Sequence, residues 1–140
     1  MNVTVQDVMR RVRHYFSVRV IRREWLTEGG TLFPKELITP GSWIAIDGGS
    51  PFPGVYQLDE AGCIPGLPDR RWTGNIHLLE PPEDFLRLCR TIAEWAEKHN
   101  PAVSAESFGA YRASYAASAW EQVFAAALTP YMRMYPEVKL

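Results

Sequence analysis

Residues 40–49, PGSWIAIDGG, place a short apolar run between two pairs of turn-forming residues. Pro40-Gly41 and Gly48-Gly49 favour turns, because proline fixes its own φ and glycine adopts backbone angles that other residues avoid. The residues between them alternate as a half-buried strand does. One face carries Trp43, Ala45 and Asp47, and the other carries Ile44 and Ile46. The stretch therefore predicts one strand of a sheet with one covered face.

The same pattern of turn residues and short strand-like runs extends over residues 17–80. Glycine and proline separate short runs that are rich in β-branched and aromatic residues, as strands are. These runs are Val18–Leu26, Thr31–Phe33, Ser42–Asp47, Gly54–Leu58 and Thr73–Leu79. Five short strands at close spacing predict a small, strongly bent antiparallel sheet or barrel. We expect the residues from Asp59 to Arg71 to form a loop.

Helical patterns lie on both sides of this β region. The first helix is predicted over 4–16, because Thr4 and Asp7 have the spacing of a capping box and apolar residues recur at helical intervals behind them. The second is predicted over 81–100, where prolines and acidic residues open a wide apolar stripe. The third is predicted over 118–134, with Pro130 as an interruption.

These elements fit one domain over residues 1–140, a length typical of single domains. The β insertion spans 17–80, and an extended loop spans 101–117. The predicted fold class is α+β, with a three-helix core and a small antiparallel, barrel-like sheet inserted between helix 1 and helix 2.

Charge and composition are those of an ordinary soluble protein, with 46% hydrophobic residues and a net charge of −1. The first 25 residues differ, because they hold six arginines and two acidic residues, a net charge of +4. Such a region fits a solvated helix face and strand edge, an acidic partner, or DNA. No signal peptide or membrane-crossing run is recognised, so we expect synthesis in a reducing cytoplasm and no membrane contact.

No arrangement of chemically active residues predicts catalysis, and we expect no enzyme activity, cofactor or metal site. The two cysteines have neither zinc nor redox spacing. We expect His77 to be a strand residue with satisfied hydrogen bonds. The glycine pairs lack the Lys-Ser/Thr of a phosphate-binding loop.

Three aromatic residues of the β region leave an alternative open. Trp43, Tyr56 and Trp72 could stack bases, as small barrels do with single-stranded nucleic acid. Together with the arginine-rich N-terminal region they would form a nucleic-acid-binding module. The β region is poor in Lys and Arg, which favours core packing for these rings.

Residues 104–116, SAESFGAYRASYA, do not resemble a linker, since they carry three aromatic residues around a glycine. Tyr111, Ala113 and Tyr115 alternate with smaller or polar residues, which fits an extended chain. An extended aromatic segment between two helices is useful if another subunit completes it by strand addition or loop docking.

Residues 104–134, SAESFGAYRASYAASAWEQVFAAALTPYMRM, resemble the C-terminal region of tailed-phage head–tail connector proteins, also called adaptor or head-completion proteins. That family tends to carry Ser-Glu-Ser-(Ile/Phe)-Gly-x-Tyr before a last helix with a Tyr-and-Arg tail. The matching positions are Ser104, Glu106, Ser107, Phe108, Gly109, Tyr111, Ser114, Tyr115, Leu128, Pro130, Tyr131 and Arg133. Arg112 stands where the family often has Ser.

The resemblance implies a structural subunit of a prophage-encoded virion, made in the bacterial cytoplasm and located at the head–tail interface. Closed symmetry on the portal implies a self-assembled ring of about twelve subunits. The other implied partners are the portal protein and a stopper or tail-completion protein, with DNA only as a contact in the lumen. A monomeric free subunit is compatible with this role.

The resemblance also assigns roles to residues. Phe108, Gly109, Tyr111 and Tyr115 are expected at contacts between subunits. Docking to the portal is expected from Tyr131, Arg133 and Met134. Portal-facing or DNA-facing positions are expected at Arg10, Arg11 and Arg13.

Overall fold

A computed structural model describes residues 3–99 and 120–140. Its largest element is a curled, five-stranded antiparallel sheet with the form of a half-barrel. The strands are β1 (Ser17–Glu28), β2 (Thr31–Phe33), β3 (Trp43–Asp47), β4 (Gly54–Gln57) and β5 (Arg70–Leu79). Their order across the sheet is β2-β1-β5-β3-β4, so the two longest strands are neighbours.

The described helices are short apart from one. They are α1 (Val5–Val12), α2 (Glu83–Lys98) and α3 (Ala125–Leu128), with single 3₁₀ turns at Lys35–Leu37 and Thr129–Tyr131. Residues 120–123 are also helical. Chain contacts divide the molecule into two units: a helical unit of residues 1–14 and 82–135, and a sheet unit of residues 15–81 and 136–140.

The predicted three-helix core with an inserted sheet is wrong, because the half-barrel sheet dominates the structure. A cluster of buried apolar side chains lies in the sheet unit: Trp25, Leu32, Ile38, Ile44, Ile46, Leu58, Ile64, Trp72 and Ile76. The first helix was predicted too long: α1 ends at Val12 because Arg13 adopts a left-handed conformation with φ 56°. Within the predicted third helix, residues 120–123, α3 and the 3₁₀ turn at Thr129–Tyr131 are helical, with a turn at Phe124 between the first two.

One face of the sheet builds the core of the sheet unit. Ile76 on β5 lies opposite Ile21 of β1 on one side and Ile46 of β3 on the other. Trp25 and Trp72 are also paired across β1 and β5, with ring centroids 6.2 Å apart. Branched and aromatic side chains at directly opposed positions stabilise neighbouring strands, which accounts for the long β1–β5 ladder.

Strand β3 differs from the expected half-buried strand. Ala45 and Asp47, on the face opposite Ile44 and Ile46, are 0% and 5% exposed. The C-terminal residues explain part of this burial, since the backbone N–H of Lys139 donates to Asp47 at 3.0 Å. Sequence alternation identified the strand but not the cover on its second face.

The helical unit has an apolar interior of its own. The start of α1 has the expected capping box: the Thr4 hydroxyl accepts from the backbone of Asp7 at 3.2 Å, and the Asp7 carboxylate accepts from the backbone of Thr4 at 2.9 Å. The side chains that α1 and α2 bury are Val8, Met9, Val12, Phe85, Cys89, Ile92 and Ala96, and Trp120 and Leu128 are buried further along the chain.

Candidate functional site

A C-terminal segment, residues 131–135, is held to α1 by its backbone. The N–H of Arg133 donates to the carbonyl of Val12 at 2.8 Å. This bond satisfies a carbonyl at the end of α1, where helices lack internal partners. The guanidinium of Arg13 donates to the carbonyl of Met134 at 3.1 Å. The backbones of two consecutive residues, Arg133 and Met134, are therefore held without using the side chains of the methionines.

Tyr131 anchors the start of this segment to α2. Its ring packs edge-on against buried Phe85, with centroids 5.1 Å apart, and its hydroxyl donates to the Asp84 carboxylate at 2.7 Å. The hydrogen bond to Asp84, together with burial, raises the pKa of Tyr131 above its ordinary value of 10.0. Its carbonyl oxygen lies 3.2 Å from Nδ1 of His14. Tyr131, predicted as a docking residue, is thus half-buried and holds the segment in place.

The side chains after Tyr131 point into solvent. Met132, Met134 and Tyr135 are 44%, 73% and 78% exposed, and Arg133 is exposed between them. Protein interfaces are enriched in these residue types: methionine adapts its shape to a partner, tyrosine provides a large ring with a polar end, and arginine donates several hydrogen bonds. A fixed backbone with exposed Met, Arg and Tyr side chains is suited to protein binding.

The structure brings two sets of predicted residues together. Arg10, Arg11 and Arg13 are all exposed on or just after α1, and Arg13 contacts the C-terminal segment directly. Arg11 is engaged differently, in an ion pair with Glu121 at 2.9 Å. Positive charge therefore borders the exposed apolar side chains, as it does around many binding surfaces.

The other predicted contact residues lie outside the described part of the chain. These are Phe108, Gly109, Tyr111 and Tyr115. Their expected role between subunits remains a prediction.

A second cluster, which sequence reasoning missed, lies on the outer face of the sheet. Ser17, His77 and Asp47 form a chain: the serine hydroxyl lies 3.2 Å from Nδ1 of His77, and Nε2 lies 3.0 and 3.1 Å from the Asp47 oxygens. His77 and Asp47 are 6% and 5% exposed. Both ring nitrogens of His77 have partners, as expected for a satisfied strand residue.

Asp47 is the centre of this cluster. Burial alone raises the pKa of its carboxyl, but hydrogen bonds from the Lys139 backbone, the Asn75 side chain and His77 outweigh burial and lower the pKa below 3.8. An ionised Asp47 accepts only, so Nε2 of His77 carries the hydrogen between them.

The same cluster holds the end of the chain on the sheet. The Glu137 carboxylate accepts from the backbone N–H groups of Tyr15 and Ser17 at 3.0 and 3.3 Å. Lys139 donates its backbone N–H to Asp47, and Val138 between them is 1% exposed. A Ser–His–Asp series also occurs in hydrolases, where the serine must reach substrate. In this protein Ser17 and Asp47 bind residues 137 and 139, so the Ser17–His77–Asp47 series holds this part of the chain on the sheet.

Aromatic residues of the sheet are used mainly in packing. Trp72 is 5% exposed and donates from its indole nitrogen to the buried Thr27 hydroxyl at 3.0 Å. Tyr56 is half-buried and donates its hydroxyl to the Phe52 carbonyl at 2.8 Å. Trp43 is half-buried as well. Trp72 therefore has almost no exposed face on which a base could stack, whereas Tyr56 and Trp43 keep part of their surface accessible.

Residues 3–99 and 120–140 contain neither a cluster of metal-binding side chains nor a helix able to cross a membrane. No group of three or more His, Cys, Asp or Glu side chains in this part of the chain is placed to hold a metal ion. None of its helices has the length and apolar character needed to cross a membrane.

Comparison with known proteins adds no identification: no family model, no curated protein and no solved structure matches this chain.

The signals that could have revealed the polar cluster were an aspartate ending an apolar strand and a histidine inside another, in WIAID and NIHLL. Only the register, which sets Ala45 opposite His77 and Asp47 opposite Asn75, brings them together.

Proposed function

We propose that the protein is a structural head–tail connector (adaptor) subunit of a tailed phage or prophage. In this role, copies of the chain form a ring below the portal and link the DNA-filled head to the stopper or tail. The observation that carries the proposal is the C-terminal segment, whose backbone is fixed on α1 while Met132, Met134 and Tyr135 are exposed. The sequence resemblance supports it, since the Tyr-and-Arg tail of the connector family corresponds to this segment.

The energetics of docking favour such a segment. Ordering a flexible tail on binding costs free energy, about 0.5–1.5 kcal/mol for each immobilised side chain in addition to the backbone. Here the backbone cost has already been met by the bonds from Arg133 and Arg13. The exposed methionines and tyrosine can then adapt to a groove of the portal or of a neighbouring subunit. A ring needs contacts between different surfaces of adjacent copies, and a projecting segment supplies one of them.

The proposal assigns no catalytic step to the chain. Its partners are other copies of itself, the portal protein and a stopper or tail-completion protein, and DNA is met only in the lumen. The exposed arginines of α1 would face the portal or the lumen. Its place of action is the virion, after synthesis in the bacterial cytoplasm.

The first test is the copy number of the chain in purified, DNA-filled particles, measured by quantitative mass spectrometry. A ring on the portal predicts about twelve copies for each particle. Absence of the chain from such particles would refute the connector role.

A second test asks whether the C-terminal segment does the docking. Particles are produced without the chain and complemented with Met134→Asp/Tyr135→Asp, which puts charge into the proposed contact. We expect heads and tails to remain separate, because charged groups in a desolvated interface weaken binding by more than ~10-fold. The matched control is Val123→Asp, at an apolar position that is 56% exposed in the same unit. Equal rescue by both variants would exclude the segment as the docking site.

A further inference from the structure

Strand β1 has an open edge over most of its length. Residues 19–27 of β1 pair with β5 on one side. On the other side β2 pairs only with Leu26, Thr27 and Glu28. Within the described part of the chain, no strand pairs with the remaining edge, residues 17–25. This edge carries backbone N–H and C=O groups for a further strand, although the Ser17 N–H already donates to Glu137 at 3.3 Å and the Glu24 carbonyl accepts from Arg23 Nε at 3.1 Å.

The side chains along this edge are accessible. Val18 and Val20 are 58% and 53% exposed, and Arg19, Arg22 and Arg23 are exposed as well. Sheets protect long edges with prolines, bulges or covering segments. Residues 19–25 contain no proline, and within residues 3–99 and 120–140 no strand covers this edge. Its one irregularity lies at the start, between Ser17 and Arg19. Exposed valines on an unprotected edge are a feature of strand-addition sites.

The charge of the edge is positive. The one acidic residue between 17 and 25 is Glu24, and Arg71 neutralises it in an ion pair at 2.9 Å. Arg22 is oriented by hydrogen bonds to the Gly48 carbonyl and the Asn75 side chain at 3.3 and 3.2 Å. Arg23 lies over the Trp25 ring at 5.7 Å. The three guanidinium groups, those of Arg19, Arg22 and Arg23, therefore define the charge that a partner must complement.

Pairing of this edge with its counterpart on a second copy is disfavoured by the same residues. An antiparallel pair centred on Ile21 would place Arg19 of each copy opposite Arg23 of the other. Like charges directly opposite each other destabilise a sheet. In this register the arginines therefore oppose pairing of two copies and favour a strand of opposite charge.

We propose that the edge of β1 at residues 17–25 binds an extended, acidic segment of another protein by strand addition. Antiparallel pairing sets the pattern of the partner: acidic residues at the first, second and fifth positions, opposite Arg23, Arg22 and Arg19. Its third and fourth positions, opposite Ile21 and Val20, are β-branched or otherwise apolar. The proposal stands on the sheet edge alone and does not depend on the connector role.

The test uses the full-length protein and fluorescein-labelled peptides with this pattern. Binding is followed by fluorescence anisotropy at ~0.15 M salt, where weak long-range attraction is screened. Two further peptides carry backbone N-methyl groups, one at the odd positions and one at the even positions. Since only alternate N–H groups of an added strand face the edge, we expect one methylated peptide to lose binding and the other to keep it.

Variants then locate the site. Arg19→Glu/Arg23→Glu is expected to weaken the acidic peptide by at least ~10-fold and to bind a lysine-substituted peptide instead, a rescue that also shows the variant is folded. Arg87→Glu/Arg90→Glu, at exposed arginines of α2, makes the same charge change and should leave binding unaltered.

Three outcomes would overturn the proposal. The first is that the acidic peptide fails to bind at ~1 mM. The second is that both methylated peptides bind equally well. The third is that the α2 variant weakens binding as much as the β1 variant. Binding of a single-stranded oligonucleotide to these arginines, without binding of the peptide, would assign the edge to nucleic acid and would equally overturn it.

Discussion

Replacing Asp47 with asparagine tests the polar cluster on the sheet. The Asp47 carboxylate accepts from three donors: the backbone N–H of Lys139 at 3.0 Å, Nε2 of His77 at 3.0 and 3.1 Å, and the Asn75 side chain. An amide of the same shape keeps one acceptor oxygen and turns an NH₂ group toward donors. Asp47→Asn therefore leaves buried hydrogen-bond donors without an acceptor.

The magnitude follows from the number of bonds lost. A hydrogen bond to a charged group contributes about 1.5–3 kcal/mol, and a buried donor left without a partner costs a similar amount. The amide can retain the bond to Lys139 while it loses those to His77 and Asn75. We expect the free energy of unfolding to fall by ~2–4 kcal/mol near pH 7.

The effect should disappear in acid, and its sign follows from the pKa. The folded-state pKa of Asp47 lies below its ordinary value of 3.8. The carboxylate therefore stabilises the fold fully above ~3.8, and this contribution is lost as the pH falls through the lowered folded-state value. Asparagine has no such contribution to lose, so the wild-type and variant proteins should converge in stability.

Urea unfolding followed by tryptophan fluorescence, at about pH 7 and in steps below about pH 4, measures this convergence. Glu60→Gln is the control, because Glu60 is exposed in the same unit and its replacement should change stability by less than ~0.5 kcal/mol. A loss of less than ~0.5 kcal/mol for Asp47→Asn, or a loss that does not change with pH, would refute the reasoning.

Three more predictions concern local contacts. Gly30→Ala should lower the free energy of unfolding by ~2 kcal/mol or more, because φ is +81° and the new Cβ would lie 2.8 Å from the Ile64 carbonyl oxygen. Gly29→Ala is the control: φ is +61° but the space around it is open, so it should cost only ~1 kcal/mol. Urea unfolding measures both. Burial raises the pKa of Cys89 to about 12, so iodoacetamide should label it only after unfolding; labelling of the native protein would contradict its burial. Tyr131→Phe should cost ~0.5–1 kcal/mol near pH 7. Because the Tyr131 pKa is raised, that advantage of the wild-type protein is present below about pH 10 and lost as pH rises through the folded-state value; an unchanged difference in alkali would contradict it.

Local signals in the sequence predicted the elements well. Turn residues at Gly29-Gly30 and Gly48-Gly49 ended strands where the structure ends β1 and β3. The capping box of Thr4 and the prolines before Glu83 marked true helix starts. Each of these signals acts within a few residues, so no knowledge of distant neighbours is needed.

Local signals did not predict that the sheet, and not a three-helix core, dominates the fold. Strand β1 was predicted over Val18–Leu26 and extends to Ser17–Glu28; it tolerates Arg19, Arg22 and Arg23 because an exposed edge accepts charges that a buried strand excludes. Helix α1 stops at Arg13, a residue with high helix propensity, and its left-handed conformation is not encoded by residue type. The Ser17–His77–Asp47 cluster joins residues up to 60 positions apart, so it exists only once the register is set.

The β1–β5 ladder also has a consequence for how the chain is made. Residues 17–28 must pair with residues 70–79, so β1 leaves the ribosome long before its partner strand is synthesised. Contacts between such distant positions slow folding, and an unpaired strand with Val18, Val20 and Ile21 is prone to aggregate while it waits. Arginines 19, 22 and 23 interrupt this apolar run and act as gatekeepers in the nascent chain. The residues that give the finished edge its charge therefore also protect the protein during its synthesis.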